Sequence, residues 1–120
     1  MRKPLAAYLT YVMLGSVPAS AQGSEQFIEQ CRLYTISERG LPGTARASFS
    51  LGHCAGYLMG YLETHANLVQ DRAVCFPDGV SVAQAVKIYM AWADKNPALW
   101  HLPRQATVNI ALKSAFPCRR

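Results

Sequence analysis

The 120-residue chain carries a net charge of +5 and four cysteines. That length suits one domain and no more. Its basic residues are spread along the chain rather than gathered into the dense stripe of a nucleic-acid binder, which sets nucleic acid aside as a partner.

The chain begins with a positive Met1-Arg2-Lys3, an uncharged apolar run over residues 5–14, and the small-residue pattern Val17-Pro18-Ala19-Ser20-Ala21. This order predicts a secretory signal peptide over residues 1–21, cleaved after Ala21. A spanning helix needs about 20 apolar residues, and this run is interrupted by Gly15, Ser16 and Pro18 well before that, so no membrane insertion is expected after cleavage. The remaining residues 22–120 then form a single helical domain in the periplasm. Without Arg2 and Lys3, ten basic residues face seven acidic ones, a mild net charge of +3. Cys31, Cys54, Cys75 and Cys118 all survive cleavage, and an even count in a short exported chain predicts disulfides. Each bridge is worth about 2–4 kcal/mol in a domain with so small a core. No C-x-x-C pair supports a metal site.

Phe27, Cys31 and Tyr34 fall at helical spacing and predict a first helix ending near residue 36, with Ser24 as its N-cap. Residues 37–44, carrying Gly40, Pro42 and Gly43, read as an exposed loop. A second, longest helix is expected from residue 45 or 48 to residue 70, with Leu51, Cys54, Ala55, Leu58, Leu62, Ala66 and Val69 as its apolar set. Gly52, Gly56 and Gly60 recur every four residues along it. Each costs about 1 kcal/mol against alanine in a helix interior, so a close neighbouring backbone is expected, with a homodimer seam as the alternative. Pro77-Asp78-Gly79 supplies turn chemistry. Ser81 and Gln84 form a capping box that starts a third helix, whose inward stripe is Val82, Val86, Tyr89, Met90 and Ala93. Asn96-Pro97 ends it, a short turn follows, and a fourth helix starts near Pro103. In that fourth helix Ala106, Ile110 and Lys113 share one side, with Val108, Ala111, Leu112 and Ala115 nearby. The expected class is all-α, a four- to five-helix up-down bundle stapled by two disulfides.

Four cysteines allow three pairings. Cys54 and Cys75 are 21 residues apart, with most of the second helix between them. That separates them by about 30 Å, against a Cα limit of about 7 Å for a disulfide. An up-down bundle brings the first helix to the start of the second and the end of the fourth to the end of the second. The expected bridges are therefore Cys31–Cys54 and Cys75–Cys118.

Several motifs stand in order along the chain: Cys54-Ala55-Gly56-Tyr57-Leu58-Met59-Gly60, then Val74-Cys75-Phe76-Pro77, then Tyr89-Met90 and Asn96-Pro97, then Ala115-Phe116-Pro117-Cys118. This order resembles the Rap/Tai family of immunity proteins of bacterial type VI secretion, from about Cys31 to Cys118. The resemblance implies a small helical periplasmic protein that binds and blocks a peptidoglycan amidase effector by occluding its active site. It also allows a homodimer. The matching residues, Gly52, Gly56, Tyr57, Gly60, Pro77, Pro97, Phe116 and Pro117 among them, define the scaffold rather than the inhibitory surface. The chain has Ala98 where the family pattern usually has Glu after the proline.

The residues themselves give no catalytic constellation and no cofactor site. Disulfides consume the thiols that a Cys–His nucleophile needs, and His53 and Cys54, as helix neighbours, point about 100° apart. His53 and His65 read as exposed helix residues, and their spacing is not that of a zinc motif. Candidate partner-binding residues are Arg39 and Arg46 around the glycine-containing loop, and Trp92, Trp100, His101 and Arg104 around the connection between the third and fourth helices, since Trp and Arg are enriched at binding hot spots. The competing function is a small periplasmic chaperone or stress protein, or a structural subunit of an envelope complex.

Overall fold

The computed structural model describes residues 23–36, 43–67 and 74–119. The signal-peptide reading of residues 1–21, most of the loop at 37–44 with its Arg39, and the expected last turn of the second helix lie outside these residues. The fold is all-α, built from α1 (Glu25–Ile36), α2 (Ala45–Asn67), α3 (Val82–Lys95), a single 3₁₀ turn (Pro97–Leu99) and α4 (Arg104–Ala115). Among the described residues there is no strand beyond one isolated bridge between Gly23 and Pro103, and no helix is long and apolar enough to cross a membrane.

α3 is the hub, packing against α1, α2 and α4. Its stripe is the expected one: Val86, Tyr89, Met90 and Ala93 are buried and Val82 packs against them. Period-3.6 spacing puts those side chains on one face, and Ser81 fixes where the helix begins. The Ser81 hydroxyl accepts from the Gln84 N–H at 3.1 Å. Ile28 of α1, Leu58 of α2 and Val108 and Leu112 of α4 close on that stripe with no exposed surface. At about 25 cal/mol per Å², this shared burial is the main force holding the four helices. On α4 the inward face is Thr107, Val108, Ala111 and Leu112, and Ile110 is left in solvent. α2 begins at Thr44, whose hydroxyl accepts from the Ala47 N–H at 3.2 Å, a cap the sequence reading passed over.

Both disulfides pair as expected. Cys31–Cys54 joins α1 to α2 with Cα atoms 5.1 Å apart, and Cys75–Cys118 joins the turn before α3 to the chain end with Cα atoms 4.9 Å apart. The second is reinforced by the Cys75 N–H donating to the Phe116 carbonyl and by edge-on packing of Phe76 on Phe116. Gly79 adopts φ +84°, which explains glycine in the Pro77-Asp78-Gly79 turn.

Two expectations are corrected. Gly52, Gly56 and Gly60 do not face a neighbouring backbone: a Cβ built on any of them meets nothing within 4 Å among the described residues, and all three are exposed. Helical rotation explains this. Within the stretch that carries the glycines the buried residues of α2 are Cys54 and Leu58, and a residue two positions away lies about 200° around the helix. The glycines therefore line the opposite side. Ser24, expected to cap α1 with its side chain, gives only its backbone carbonyl to the helix, accepting from the Ile28 N–H at 2.8 Å. Its hydroxyl is fully buried and turned toward the start of α4.

Candidate functional site

The segment before α1 meets the chain just ahead of α4. The Ser24 N–H donates to the Trp100 carbonyl at 2.7 Å, and the Ser24 hydroxyl donates to the Leu102 carbonyl at 2.7 Å. Gly23 lies so close to the Trp100–His101 backbone that an added Cβ would sit 3.0 Å from the Trp100 carbonyl oxygen. Thr107, one turn into α4, bonds the Ser24 hydroxyl at 2.7 Å and the Tyr89 hydroxyl at 3.0 Å, in a region without water access. Each hydroxyl has one proton: Tyr89 donates to Thr107, Ser24 donates to the Leu102 carbonyl, and the Thr107 hydroxyl, which also touches Ser24, donates to the Arg104 carbonyl at 3.0 Å. Burial pushes the Tyr89 phenol up from its ordinary value, since the charged form has no water there.

One turn earlier, α4 borders a cleft of about 730 Å³ between the start of α1, the first half of α2 and Arg104. Gln26 and Gln30 line one wall, and Phe49, His53 and Tyr57 the other. Phe49, His53 and Tyr57 come from one face of α2 because they recur at intervals of four residues. The Arg104 guanidinium lies 5.1 Å from the Phe27 ring centroid and 4.6 Å from that of Tyr57, within cation–π range of both. Phe27 in turn meets Tyr57 and His53 edge-on.

His53 holds the arginine in place. Arg104 Nη1 lies 2.9 Å from His53 Nε2, and His53 Nδ1 lies 2.6 Å from Gln30 Oε1. A guanidinium has only donors, so Nε2 must accept and the neutral ring carries its proton on Nδ1, donating to Gln30. Cys54, adjacent to His53, is bonded to Cys31, so no thiol is available beside the imidazole. The reading of His53 as an exposed helix residue is thus corrected: it is half-buried, with both nitrogens engaged, because α1 and α4 close over it. His65 is corrected as well. Its ring stacks on Tyr61 at 3.9 Å, and its Nδ1 bonds the Tyr61 carbonyl at 2.9 Å. Tyr61 donates to Asn109 on α4, and burial pushes its phenol up to about 12.

The residues singled out for partner binding take different places. Trp92 stacks parallel to Tyr89 against the core, and the Trp100 indole N–H donates to the Ala93 carbonyl at 2.9 Å, closing the end of α3. His101 is exposed, its Nδ1 bonded to the Ala98 carbonyl. Arg46 is exposed in the first turn of α2, one turn before Phe49. Of the described members of the set, Arg104 alone lines the cleft. Sequence reasoning missed Gln30, Phe49 and His53 as its companions. The signal that could have found them is the four-residue spacing of Phe49, His53 and Tyr57 beside Cys54, whose bridge to Cys31 brings Gln30 alongside.

Residues 23–118 match the family model of Rap1a immunity proteins. The chain belongs to the Rap1a immunity protein family. The match covers all four helices and both disulfides, and it extends the resemblance seen in the motifs from Cys31 back to Gly23. No curated protein and no solved structure matches the chain. Membership in an immunity family implies that the surface of interest is one that meets a protein effector, and the cleft at Arg104 is the concave face on which polar and aromatic side chains converge.

Proposed function

We propose that this Rap1a-family protein protects its cell by binding a type VI secreted peptidoglycan amidase and occluding its active site. The observation that carries this reading is the family match over residues 23–118, nearly the whole described chain. The protein acts in the periplasm as a single domain over residues 22–120, after residues 1–21 are removed. Two disulfides suit that oxidising compartment. Inhibition is steric, without turnover and without a cofactor. The partner contacts the cleft through Arg104, and Arg46, Arg39, Trp92, Trp100 and His101 are further candidate contacts. We also propose a homodimer through the open face of α2 that carries Gly52, Gly56 and Gly60.

The test is affinity capture with the oxidised protein from periplasmic and secreted fractions of the source cells, read by mass spectrometry and followed by co-expression with whatever is captured. A stoichiometric cell-wall amidase, whose toxicity the protein relieves, is the expected result. An amidase that stays fully toxic alongside it would rule out the pairing, and a spread of unrelated, partly unfolded clients would favour a chaperone instead.

A further inference from the structure

The cleft holds a positive charge that no described side chain neutralises. Arg104 meets no carboxylate among the described residues, and no acidic side chain lines the cleft. The acids of α1 do not line the cleft: Glu29 pairs with Arg32 at 3.5 Å, and Glu25 is exposed in the first turn. One edge of the guanidinium is held by His53, and the ring faces of Phe27 and Tyr57 restrain its plane. The remaining N–H donors are bonded to no acceptor among the described residues. Phe49, 65% exposed, stands at the mouth of the same cleft and bonds to nothing, though it tilts against His53.

We infer that this cleft is a carboxylate-recognition site, which receives an aspartate or glutamate side chain from a projecting loop of the protein partner, with an apolar neighbour of that acid packed on Phe49 and Tyr57. The inference rests on the reading of the protein as one that binds another protein. Charge complementarity selects the occupant: a guanidinium edge presents parallel donors that match the two oxygens of a carboxylate, and a bidentate pair of this kind is among the stronger polar contacts available. Preorganisation favours it further. His53 and two aromatic rings already fix the rotamer, so little side-chain entropy is lost when the acid arrives. A lysine at position 104 could supply the charge but neither the planar fork nor the stacking. The volume is in the range of sites that enclose a small ligand or a few side chains.

The site can be tested without the partner, so that its failure is distinct from failure of the immunity reading. The oxidised, ¹⁵N-labelled protein is titrated with the blocked peptide acetyl-Gly-Asp-Phe-amide and, separately, with acetyl-Gly-Asn-Phe-amide, following amide and arginine side-chain signals by NMR. The Asp peptide is expected to shift Arg104, His53, Phe49 and Tyr57 and to bind about tenfold more tightly than the Asn peptide, the gain of a charge-assisted over a neutral hydrogen bond. Arg104→Gln abolishes that preference, and Arg104→Lys retains only part of it. A thermal melt of each variant separates lost recognition from lost folding, and a variant that does not fold is replaced by Phe49→Ala, which weakens both peptides while leaving the Asp preference. Equal affinity of the two peptides for the native protein, no shift at all, or shifts centred away from Arg104 would each overturn the inference.

Discussion

Two polar networks grow from the first turn of α4, three residues apart, and they end in opposite ways. At Thr107 every hydroxyl finds a partner: Tyr89, Thr107, Ser24 and the Leu102 carbonyl form a closed chain away from water. At Arg104 the chain of Gln30, His53 and guanidinium stops at a set of unfilled donors facing a cleft. The closed network tolerates no visitor, because a buried polar group is costly unless satisfied. The open one is affordable only because its cation sits half in solvent against aromatic faces. One short helix thus anchors the chain's N-terminal segment through one side chain and presents a charge through another. Saturation of the hydrogen bonds, not residue type or position on the helix, distinguishes structure from recognition here.

The two disulfides give the largest expected contrast between these roles. Cys31 follows Gln30 and Cys54 follows His53, so that bridge clamps the two residues that aim Arg104. Cys75–Cys118 ties the opposite stretch of the chain, beside Phe76 and Phe116. Replacing either pair by alanine should cost about 3–4 kcal/mol by the loop-closure argument, measured by urea unfolding. The effects on the cleft should differ. Loss of Cys31–Cys54 is expected to broaden or shift the NMR signals of His53 and Arg104, whereas loss of Cys75–Cys118 leaves them in place. Equal disturbance of the cleft by both variants would mean that α4, and not the bridge, sets the position of the arginine.

A smaller effect separates the networks directly. Thr107→Val keeps the shape of the side chain but removes the hydroxyl that joins Tyr89 to Ser24 and donates to the Arg104 carbonyl. An unsatisfied buried group costs about 1–3 kcal/mol, so the variant should melt about 10 °C lower for a domain near 100 residues. The Asp-over-Asn peptide preference at Arg104 should survive, measured below the new melting point. A variant that loses the preference while still folded would show that the two networks act as one.

The sequence carried the helices, the α3 stripe and the disulfide pairing because each depends on local spacing or on chain length. Ser81 and Gln84 are three residues apart, and a long helix running from Cys54 toward Cys75 holds those two cysteines too far apart to bridge. The site was far less legible. Ser24 reaches Thr107 across 83 positions, and His53 joins residues 23 positions before it and 51 after it. Such partners follow from how α1 and α4 are rotated against α2, which no local pattern states. Ser24 shows the limit well: an N-cap residue type at an N-cap position, with its hydroxyl claimed by a tighter, buried contact.

The smallest effect concerns the glycine ridge, whose misreading was avoidable. Once Cys54 is bonded to α1, residues two positions away must lie on the far side of the helix, so Gly52, Gly56 and Gly60 could be placed in the open from the bridge alone. Three interior glycines still weaken α2 by about 1 kcal/mol each relative to alanine, and no contact among the described residues offsets that cost. A second copy of the chain is an occupant that could, since glycine admits close backbone approach and Met59, 47% exposed, lies beside the ridge. Gly56→Ala is therefore expected to stabilise the dilute protomer by about 0.5–1 kcal/mol in urea unfolding, because the methyl group finds open space and the unfolded chain loses freedom. In sedimentation equilibrium the same methyl group should weaken the dimer, as it separates two backbones that glycine lets touch. A variant that gains stability and sediments like the native protein at every concentration would remove the dimer seam from consideration, and would leave Arg104 and its cleft as the surface at which this fold departs from a closed, self-satisfied domain.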